Sequence, residues 1–505
     1  MFDKTGLDVF ARGLSDLGVE IVASGGTAAY VAELGIDVVP VEELTDVPEL
    51  LGGRVKTLHP RIHAGILARR GREADLDELR DQGIRTFDLV CVNLYPFQTV
   101  AGQRNVREEE AVEMIDIGGP ALLRAAAKNF VDVVPVCDFG RYEQILAQLA
   151  SGDGVGLDDR RRLAAEAFAH TAAYEASIAS WFADVETFPP RLLLSLERET
   201  ELVYGENPHQ RAAYYAEAGV RRHLLSRVEQ LNGKALSFNN LNDLDAARAL
   251  AREFRLPTCV IVKHANPCGC GVAATIEEAY DKALAGDPVS AYGGVVALNR
   301  KVGPELAARL AEHFVEVLIA PELDDEALAI LTRKEALRIL ADRERRGASP
   351  GDRDYRRVLG GFLVQDADSE VDDREGMEVV TGAAPDEHAW GDLLFAWRVV
   401  KHVASNAIVV AKDLQTLGIG GGQMSRVDAV RLALEKAAEH GHDVTGAVLA
   451  SDAFFPFPDG PALALEAGVA ALIQPGGSKR DAEVAEAVEA AGGVMVFTSR
   501  RHFRH

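Results

Sequence analysis

Long apolar runs, a targeting signal and an excess of positive charge are all missing from this 505-residue sequence. No uninterrupted apolar stretch approaches the roughly 18 residues that cross a bilayer, and no basic segment followed by an apolar one opens the chain. We therefore expect a cytoplasmic protein without a membrane partner.

Acidic residues outnumber basic ones, and the formal net charge is -24 at pH 7. A nucleic acid would have to be held against the protein's own negative field, so this charge argues against a nucleic-acid partner. Small anionic ligands stay possible, because they need only a local group of Lys, Arg and helix N-termini.

Cysteine is also scarce, with five residues in the whole chain. An odd number scattered over this length suits reduced thiols better than a disulfide framework. Cys268 and Cys270 form the only close pair in the sequence. Their Cys-x-Cys spacing, with only His264 nearby, differs from the Cys-x-x-Cys of most zinc sites, so we expect no metal.

Length and composition indicate a globular protein of more than one domain, with 48% hydrophobic and 26% charged residues. The first part of the chain alternates apolar runs with helical patterns. Strands are expected at 18–24, 36–41, 87–93 and 131–137, and helices at 27–34, 121–129 and 153–174. Strands separated by helices predict a parallel α/β sheet with ligands at the carboxyl ends of its strands.

A domain boundary is expected near residue 187. Residues 188–190 (Phe-Pro-Pro) interrupt the pattern after helix 153–174, and 191–195 should start a new strand. The chain then divides into domains 1–187 and 188–505. The second domain is again mixed α/β, with a charged, solvated helix and loop expected at 335–357.

Two segments of the first domain could hold an anion. Residues 24–27 (Ser-Gly-Gly-Thr) leave a strand and open a helix, where bare amides, two hydroxyls and the helix dipole would form a phosphate cradle. An ordinary helix cap explains them equally well. The loop 52–60 adds Arg54, Lys56 and Thr57, or is simply a solvated basic loop.

Three side chains of the first domain could transfer protons or stabilise an oxyanion. Tyr95 follows strand 87–93, Asp116 precedes helix 121–129, and Lys128 shares a face of that helix with Arg124. Pro120 is expected at the first position of this helix. Any one of these side chains alone is more often a surface residue.

Two segments of the second domain combine titratable groups with Gly and Pro, at 204–210 (Tyr-Gly-Glu-Asn-Pro-His-Gln) and 263–269 (Lys-His-Ala-Asn-Pro-Cys-Gly). Neither favours a helix or a central strand, so both are expected to be rigid loops that carry function. Lys263 and His264 follow the apolar run 259–262, where an ammonium and a tunable base could serve acyl transfer. The alternative is a strand end with two solvated polar residues.

Two later segments have competing interpretations. A glycine-rich turn at 418–422 precedes the helix of Arg426, but its spacing is not GxGxxG, so a Rossmann cofactor site is not expected. Residues 452–457, which include Phe454, form either an aromatic wall for a flat ring or part of the buried core.

Taken together, these segments resemble the AICAR transformylase / IMP cyclohydrolase family of bifunctional purine biosynthesis proteins over essentially the whole chain. The resemblance rests on motifs in the family's order at 3–7, 24–27, 52–60, 93–97, 116–120, 204–210, 263–269, 405–406, 452–457, 474–478 and 501–505. It implies an α/β fold, with an N-terminal methylglyoxal-synthase-like domain (1–187) as cyclohydrolase. It also implies a C-terminal transformylase region (188–505) of two cytidine-deaminase-like units without their zinc, and a homodimer with transformylase sites near the interface.

The resemblance also implies the chemistry. The second domain would transfer a formyl group from the cosubstrate 10-formyltetrahydrofolate to the 5-amino group of AICAR, with no metal required. The first domain would close the ring of formyl-AICAR to IMP with loss of water. The amine of AICAR is a poor nucleophile, so a base and a cation are needed, and these roles fall to His264 and Lys263.

The site residues implied by the resemblance form two groups. The catalytic residues would be Lys263, His264, Asn406 and His209 for formyl transfer, and Lys56, Tyr95, Asp116 and Lys128 for ring closure. The substrate-binding residues would be Lys4, Ser24, Thr27, Arg54 and Thr57 around the nucleotide phosphate, together with Lys56, and Tyr204, Phe454, Arg426 and Arg501 in the second domain.

The sequence departs from the family pattern in two places. Family members open with an apolar strand that leads into Ser-x-x-Asp-Lys, whereas here Met1 and Phe2 precede Asp3-Lys4, so one strand and one phosphate ligand are expected to be missing. Val203 stands where the family usually has an Arg on the AICAR phosphate. Loss of one such contact could weaken binding by about 1.5 to 3 kcal/mol.

Two other functions stay open at this point. A noncatalytic nucleotide-sensing protein would keep the phosphate sites and lose the chemistry, although Lys263, His264, Tyr95, Asp116 and Lys128 are all present. A methylglyoxal synthase is suggested by the first domain alone, and it leaves more than half of the chain unexplained.

Overall fold

The computed structural model describes residues 1–103, 105–183, 188–217, 228–344, 352–370 and 373–505. The chain forms two compact units. The first holds Met1–Glu197, and the second holds Arg198–Ala216 and the described residues from 228 onward. The expected boundary near residue 187 falls at 184–187, outside the described residues, and stays a prediction. No helix among the described residues is both long and apolar enough to cross a membrane.

The first unit alternates short strands with helices. Its helices are α1 (Leu7–Asp16), α2 (Gly25–Glu33), α3 (Val41–Thr45), α4 (Pro60–Leu67), α5 (Glu73–Asp81), α6 (Phe97–Ala101), α7 (Glu108–Val112), α8 (Gly118–Lys128), α9 (Tyr142–Ala150) and α10 (Leu157–Phe182). Its strands are β1 (Ile21–Ala23), β2 (Val38–Pro40), β3 (Leu89–Cys91) and β4 (Val134–Val136). Strand β1 pairs in parallel with β2, and β3 pairs in parallel with β4, as the alternating pattern predicts, but the two pairs are separate two-stranded sheets and not the single sheet expected.

Helix α8 begins at Gly118, three residues earlier than the sequence suggested. The reason is Asp116, whose Oδ1 accepts a hydrogen bond from Gly119 N at 2.8 Å and so satisfies an amide of the first turn. Pro120 therefore stands at the third helical position and not at the first. Its missing N–H costs nothing there, because amides of the first turn have no acceptor within the helix.

The expected helix at 153–174 and strand at 191–195 also need correction. Helix α10 begins only at Leu157, beyond Gly154, whose φ of 71° is left-handed. Residues 191–195 are irregular, and the strand β5 (Leu196–Leu202), which pairs with β6 (Ala212–Glu217), starts after them. The three leucines at 192–194 are 40–47% exposed, so this apolar run is not part of a buried core.

The second unit is built around one twelve-stranded mixed sheet. Its helices are α11 (Phe238–Ala251), α12 (Ile276–Gly286), α13 (Pro304–Glu312), α14 (Asp325–Leu331), α15 (Glu387–Val400), α16 (Arg426–Glu439), α17 (Asp459–Glu466) and α18 (Asp481–Ala490). The strands of the sheet are β7 (Glu229–Asn232), β8 (Thr258–Lys263), β9 (Asn266–Val272), β10 (Gly294–Leu298), β11 (Val315–Ala320), β12 (Arg338–Ala341), β15 (Glu378–Val379), β16 (Ile408–Lys412), β17 (Gln415–Gly420), β18 (Val448–Ser451), β19 (Ala471–Gln474) and β20 (Val494–Phe497). A separate antiparallel hairpin consists of β13 (Arg353–Val358) and β14 (Gly361–Asp366).

The sheet contains two copies of one chain pattern. The first copy runs β7-α11-β8-β9-α12-β10-α13-β11-α14-β12, and the second runs β15-α15-β16-β17-α16-β18-α17-β19-α18-β20. Across the sheet the order is β15-β20-β19-β18-β16-β17-β9-β8-β10-β11-β12-β7, so the two hairpins β8–β9 and β16–β17 meet at the centre. The two similar units that the resemblance implied are thus present as a duplicated topology.

Four glycines let helices α12 and α16 pack directly onto the backbone of the central strands. An added Cβ would collide with a helix carbonyl oxygen at Gly269 (1.9 Å from Ala283), Gly271 (2.5 Å from Ala279), Gly418 (2.0 Å from Ala433) and Gly420 (2.0 Å from Ala429). The expected glycine-rich turn at 418–422 is therefore largely strand β17. Its glycines serve close packing of helix on strand.

Two further expectations were wrong. Segment 263–269 is not a loop throughout, because β9 begins at Asn266. This strand accommodates Pro267 at a register shift in its pairing with β8. The described part of the charged stretch 335–357 is not a solvated helix. It contains strand β12, which is buried in the sheet because residues 339–341 are apolar, and strand β13.

Replacing Gly418 with Ala should destabilise the second unit by about 1–3 kcal/mol or more, because the new Cβ must displace the α16 backbone. Thermal unfolding measures this as a lower melting temperature. Gly391→Ala in α15 is the control. A Cβ there meets nothing within 4 Å, and Ala is more favourable than Gly in a helix by about 1 kcal/mol, so this variant should not lower the melting temperature. An unchanged melting temperature for Gly418→Ala would contradict the packing described.

Candidate functional site

One edge of the large sheet gathers the predicted residues of the second unit. Strands β8, β17 and β18 end at this edge and β9 and β16 begin there, as their antiparallel pairings require. Lys263, the segment that contains Asn406, and Asp452, which follows β18, therefore all lie along this edge. They are far apart in the sequence, and the duplicated sheet brings them to one edge.

His264 and Ala265 form the two-residue turn between β8 and β9. Both have left-handed backbone, with φ of 54° and 58°, and the flanking Lys263 and Asn266 pair with each other. The amide of Ala265 donates to Asp243 Oδ1 at 2.7 Å. The His264 side chain is exposed and, among the described residues, forms no hydrogen bond, so it is free to meet a ligand.

The Lys263 ammonium is fixed at the start of β10. Its Nζ donates to the carbonyl oxygens of Tyr292 (2.9 Å) and Gly293 (3.0 Å). An ammonium has three N–H donors, so one remains for a ligand. The structure thus places a cation and an imidazole on consecutive residues of one turn.

Asn266 joins this turn to the second copy of the chain pattern, a role that the sequence did not reveal. Its Oδ1 accepts a hydrogen bond from Ala404 N at 2.8 Å, two residues before Asn406. The signal available in the sequence was only that an Asn sits between His264 and a Pro. The bond itself depends on the meeting of the two hairpins.

Asn406 is held by three hydrogen bonds. Its Nδ2 donates to the carbonyl oxygens of Gln423 (2.9 Å) and Met424 (3.1 Å), and its Oδ1 accepts from Arg426 Nη2 at 2.8 Å. Both N–H donors are used, and a carbonyl oxygen has two lone pairs, so Asn406 can only accept one further hydrogen bond.

Arg426 is directed toward the protein itself. Its Nη1 lies 2.7 Å from Ser451 Oγ and 2.5 Å from Asp452 Oδ1, while the Arg426 and Asp452 side chains are only 8% and 0% exposed. Ser405 Oγ also donates to Asp452. The guanidinium predicted to bind substrate therefore orients Asn406 and compensates a buried carboxylate.

Tyr204 and His209 lie in a loop that closes on itself through a bond from Gly205 N to Gln210 O of 2.8 Å. The carbonyl oxygen of Tyr204 accepts from Phe238 N at 3.4 Å, at the start of α11. Since α11 also carries the Asp243 that binds the His264 turn, both segments contact the same helix. The His209 side chain is exposed.

The segment 452–457 divides between the two expected roles. Phe455 is buried core at 1% exposure, whereas Phe454 is 36% exposed and can face a ligand. Arg501 lies in the tail after β20, with its guanidinium 4.6 Å from the centre of the Phe503 ring. The tail returns to the same edge, because His502 N donates to the carbonyl oxygen of Asp452 at 3.0 Å.

A second candidate site lies in the first unit, around a cavity of about 1410 Å³. Seven of the predicted residues line it, namely Ser24, Thr27, Arg54, Lys56, Thr57, Tyr95 and Asp116. Lys4 approaches it indirectly, through a bond of 3.4 Å from its Nζ to the carbonyl oxygen of Met1. The strand ends of the first unit thus converge on one concave surface.

Anion-binding groups collect on one side of this cavity. Ser24 precedes α2 and makes no side-chain cap to the helix, so its hydroxyl is available there. Lys56 Nζ lies 3.3 Å from the position of a Cβ on Gly25, and it pairs with Glu49 Oε1 at 2.6 Å. The hydrogen bond that Lys56 donates to Glu49 raises the pKa of Lys56, so this residue stays a cation at neutral pH.

Asp116 lines the same cavity. Its carboxylate accepts backbone hydrogen bonds from Gly119 and Tyr95, yet burial raises the pKa of Asp116 above the ordinary value of 3.8. Thr57 Oγ1 is 2.9 Å from the position of a Cβ on Gly118. Tyr95 and Thr57 are therefore neighbours of Asp116. The raised pKa of the Asp116 carboxylate suits it to take up a proton.

Lys128 is not brought to this cluster. It is exposed in the last turn of α8, and with a rise of 1.5 Å per residue it stands about 15 Å along the helix from Gly118. Arg54 lies at the cavity but pairs with Glu113 through Nη2 and Oε1 at 2.5 Å.

Comparisons with known proteins agree on one family. Residues 126–436 match the family described as AICARFT/IMPCHase bienzyme, and residues 6–121 match the MGS-like domain. Proteins named bifunctional purine biosynthesis protein PurH are similar to this chain over its whole length. The one from Anoxybacillus flavithermus is 48% identical and the one from Bacillus subtilis 46%, each over 100% of this chain and 98% of the relative.

Replacing Arg426 with Met should lower the free energy of unfolding by about 3–5 kcal/mol, because the Asp452 carboxylate would stay buried without its partner. Urea unfolding measures the change. Arg431→Met on the same helix is the matched control. It removes an ion pair with Asp428 in which the two side chains are 52% and 50% exposed, so the stability should change little. Equal losses in the two variants would contradict the buried network.

Proposed function

The chain belongs to the AICARFT/IMPCHase bienzyme family, and we propose that it catalyses the last two steps of IMP synthesis. The first step transfers a formyl group from 10-formyltetrahydrofolate to the 5-amino group of AICAR. The second closes the ring of formyl-AICAR to IMP with loss of water. The observation that carries the proposal is the His264 turn, which sets an unbound imidazole beside a fixed ammonium at the edge that also holds Asn406.

Formyl transfer is assigned to residues 188–505. The AICAR amine attacks the formyl carbon while His264 takes its proton, because the amine is too weakly basic to attack unaided. The remaining N–H of Lys263 stabilises charge on the formyl oxygen or the departing folate nitrogen. The free lone pair of Asn406 accepts an N–H of the substrate and orients it.

The other predicted residues of this site would hold the substrate. Tyr204 and His209 lie in the loop at the start of α11, and His209 would orient the carboxamide of AICAR. Phe454 offers an exposed ring face to a flat ligand. Arg501 supplies a cation from the tail, whereas Arg426 would act through Asn406.

Ring closure is assigned to residues 1–187, where the cavity lies. The carboxamide nitrogen attacks the formyl carbon, and Asp116 and Tyr95 would move the protons that leave with water. The nucleotide phosphate would be held by hydroxyls and cations around the start of α2, which are Lys4, Ser24, Thr27, Arg54, Lys56 and Thr57.

We further propose a homodimer whose interface reaches the transformylase site. Met424 and Tyr292 are 102% and 70% exposed in the single chain. The carbonyl oxygens of the same two residues accept hydrogen bonds from Asn406 and Lys263. A second chain that covers these apolar side chains would also complete the walls of the site.

A nucleotide-sensing protein without catalysis is not favoured. Such a protein would need the anion-binding groups alone. The unbound His264 and the Asp116 carboxyl with its raised pKa are instead groups that move protons.

His264→Ala should lower the rate of formyl transfer by about 10² to 10⁴ fold with little change in AICAR affinity, because it removes the proton acceptor and leaves the walls of the site. Lys263→Met should be comparably severe. The assay supplies AICAR and 10-formyltetrahydrofolate and follows tetrahydrofolate and IMP separately. Ring closure of supplied formyl-AICAR is the internal control and should be unchanged. Normal transfer by His264→Ala would remove this residue from the mechanism.

Asp116→Asn should abolish ring closure and let formyl-AICAR accumulate. Because burial raises the pKa of Asp116, the ionised form is lost as pH falls through a value above 3.8, and IMP formation by the parent protein should fall over the same range. The pH profile of IMP formation from formyl-AICAR checks this. An Asn variant that closes rings normally would exclude Asp116, and Lys128→Ala in the same assay decides whether the distant Lys128 takes part.

A further inference from the structure

The duplicated topology allows each side chain near His264 to be compared with its counterpart in the second copy. Helix α11 corresponds to α15, and the turn between β8 and β9 corresponds to the turn between β16 and β17. Asp243 and Asp392 are each the sixth residue of their helix. The second turn consists of Asp413 and Leu414, with left-handed φ of 53° and 55°.

In the second copy, the aspartate binds both amides of its turn. Asp392 Oδ2 accepts from Asp413 N at 2.9 Å, and Asp392 Oδ1 accepts from Leu414 N at 2.7 Å. The residue is 3% exposed. Left-handed backbone costs a residue other than Gly about 1–2 kcal/mol. The two hydrogen bonds to Asp392 hold the turn in that conformation.

In the first copy, the corresponding carboxylate makes a single bond to its turn. Asp243 Oδ1 accepts from Ala265 N at 2.7 Å, and in the described part of the chain Oδ2 has no hydrogen-bond partner. Asp243 is also half-buried, unlike its counterpart. Among the described residues, the turn that bears His264 is therefore held by this one bond to a carboxylate, together with a bond of 3.1 Å from Asn266 Nδ2 to the carbonyl oxygen of His264.

We propose that Asp243 is a positioning residue for formyl transfer: its bond to the Ala265 amide fixes the left-handed turn and thereby the direction of the His264 side chain. The inference rests on the proposed function. Since a displacement of about 1 Å at a reacting group can cost 10²-fold in rate, loss of this bond should act on the catalytic step. Substrate affinity should change little, because the contribution proposed for Asp243 is its bond to the turn.

The test compares four variants of the full-length protein: Asp243→Ala, Asp243→Asn, Asp392→Ala and Asp392→Asn. Asp243→Ala should lower kcat for formyl transfer by about 10- to 100-fold, with KM for AICAR and 10-formyltetrahydrofolate within about twofold of the parent. Asp243→Asn should restore most of the rate, because an amide oxygen still accepts from Ala265 N. Ring closure of supplied formyl-AICAR should be unchanged in both.

The Asp392 variants separate positioning from stability. They remove the equivalent contact from a turn without an imidazole, so they should lower the melting temperature at least as much as the Asp243 variants while kcat stays near the parent value. Asp392→Asn supplies this comparison if the Ala variant does not fold. The inference is overturned if kcat follows melting temperature across all four variants, if Asp243→Asn is as slow as Asp243→Ala, or if Asp243→Ala keeps the parent rate. Absence of transfer in the parent protein would instead refute the proposed function.

Discussion

The contact of helices α12 and α16 with bare glycine backbone is the constraint on which the second unit depends. A methyl group at Gly269 or Gly418 would lie 1.9 or 2.0 Å from a helix carbonyl oxygen, so the helices can approach the central strands only because side chains are absent there. The two copies then share one sheet. The hydroxyl of Thr416 accepts a hydrogen bond from Cys270 N at 2.9 Å across the junction, and the hairpin turn of the first copy reaches the segment before β16 of the second.

Comparison of the two copies distinguishes residues that both copies use to hold the hairpin from residues that only the first copy has. Lys263 has a counterpart in Lys412, whose Nζ donates to the carbonyl oxygen of Thr445 at 2.8 Å, just before β18. A lysine at this position therefore anchors the hairpin in both copies, and in the first copy one of its N–H donors remains for the catalytic role that we propose. The turn residue differs: the first copy has His264 where the second has Asp413. In the function that we propose, this imidazole is what distinguishes the first copy.

The sequence allowed good predictions where one local pattern decides the structure. Strand β8 reads as an apolar run because both of its faces are buried. Strand β9 could not be predicted in this way, since its Gly and Pro content is set by the helix that packs on it and by a register shift. The motifs supplied the candidate site residues, but not the hydrogen-bond partners of these residues. That Arg426 binds Asp452 and Asn406, and that Asn266 joins the two copies, follows only from the pairing of distant strands.

The central claim is that the two copies form a single formyl-transfer site, with His264 from the first and Asn406 from the second. A double-mutant cycle on kcat/KM for formyl transfer, with His264→Ala, Asn406→Ala and the double variant, tests it most directly. Residues that act as one unit have strongly non-additive effects, so the double variant should be about as slow as the slower single variant. If the two losses in activation free energy simply add, His264 and Asn406 act independently and the shared site is contradicted.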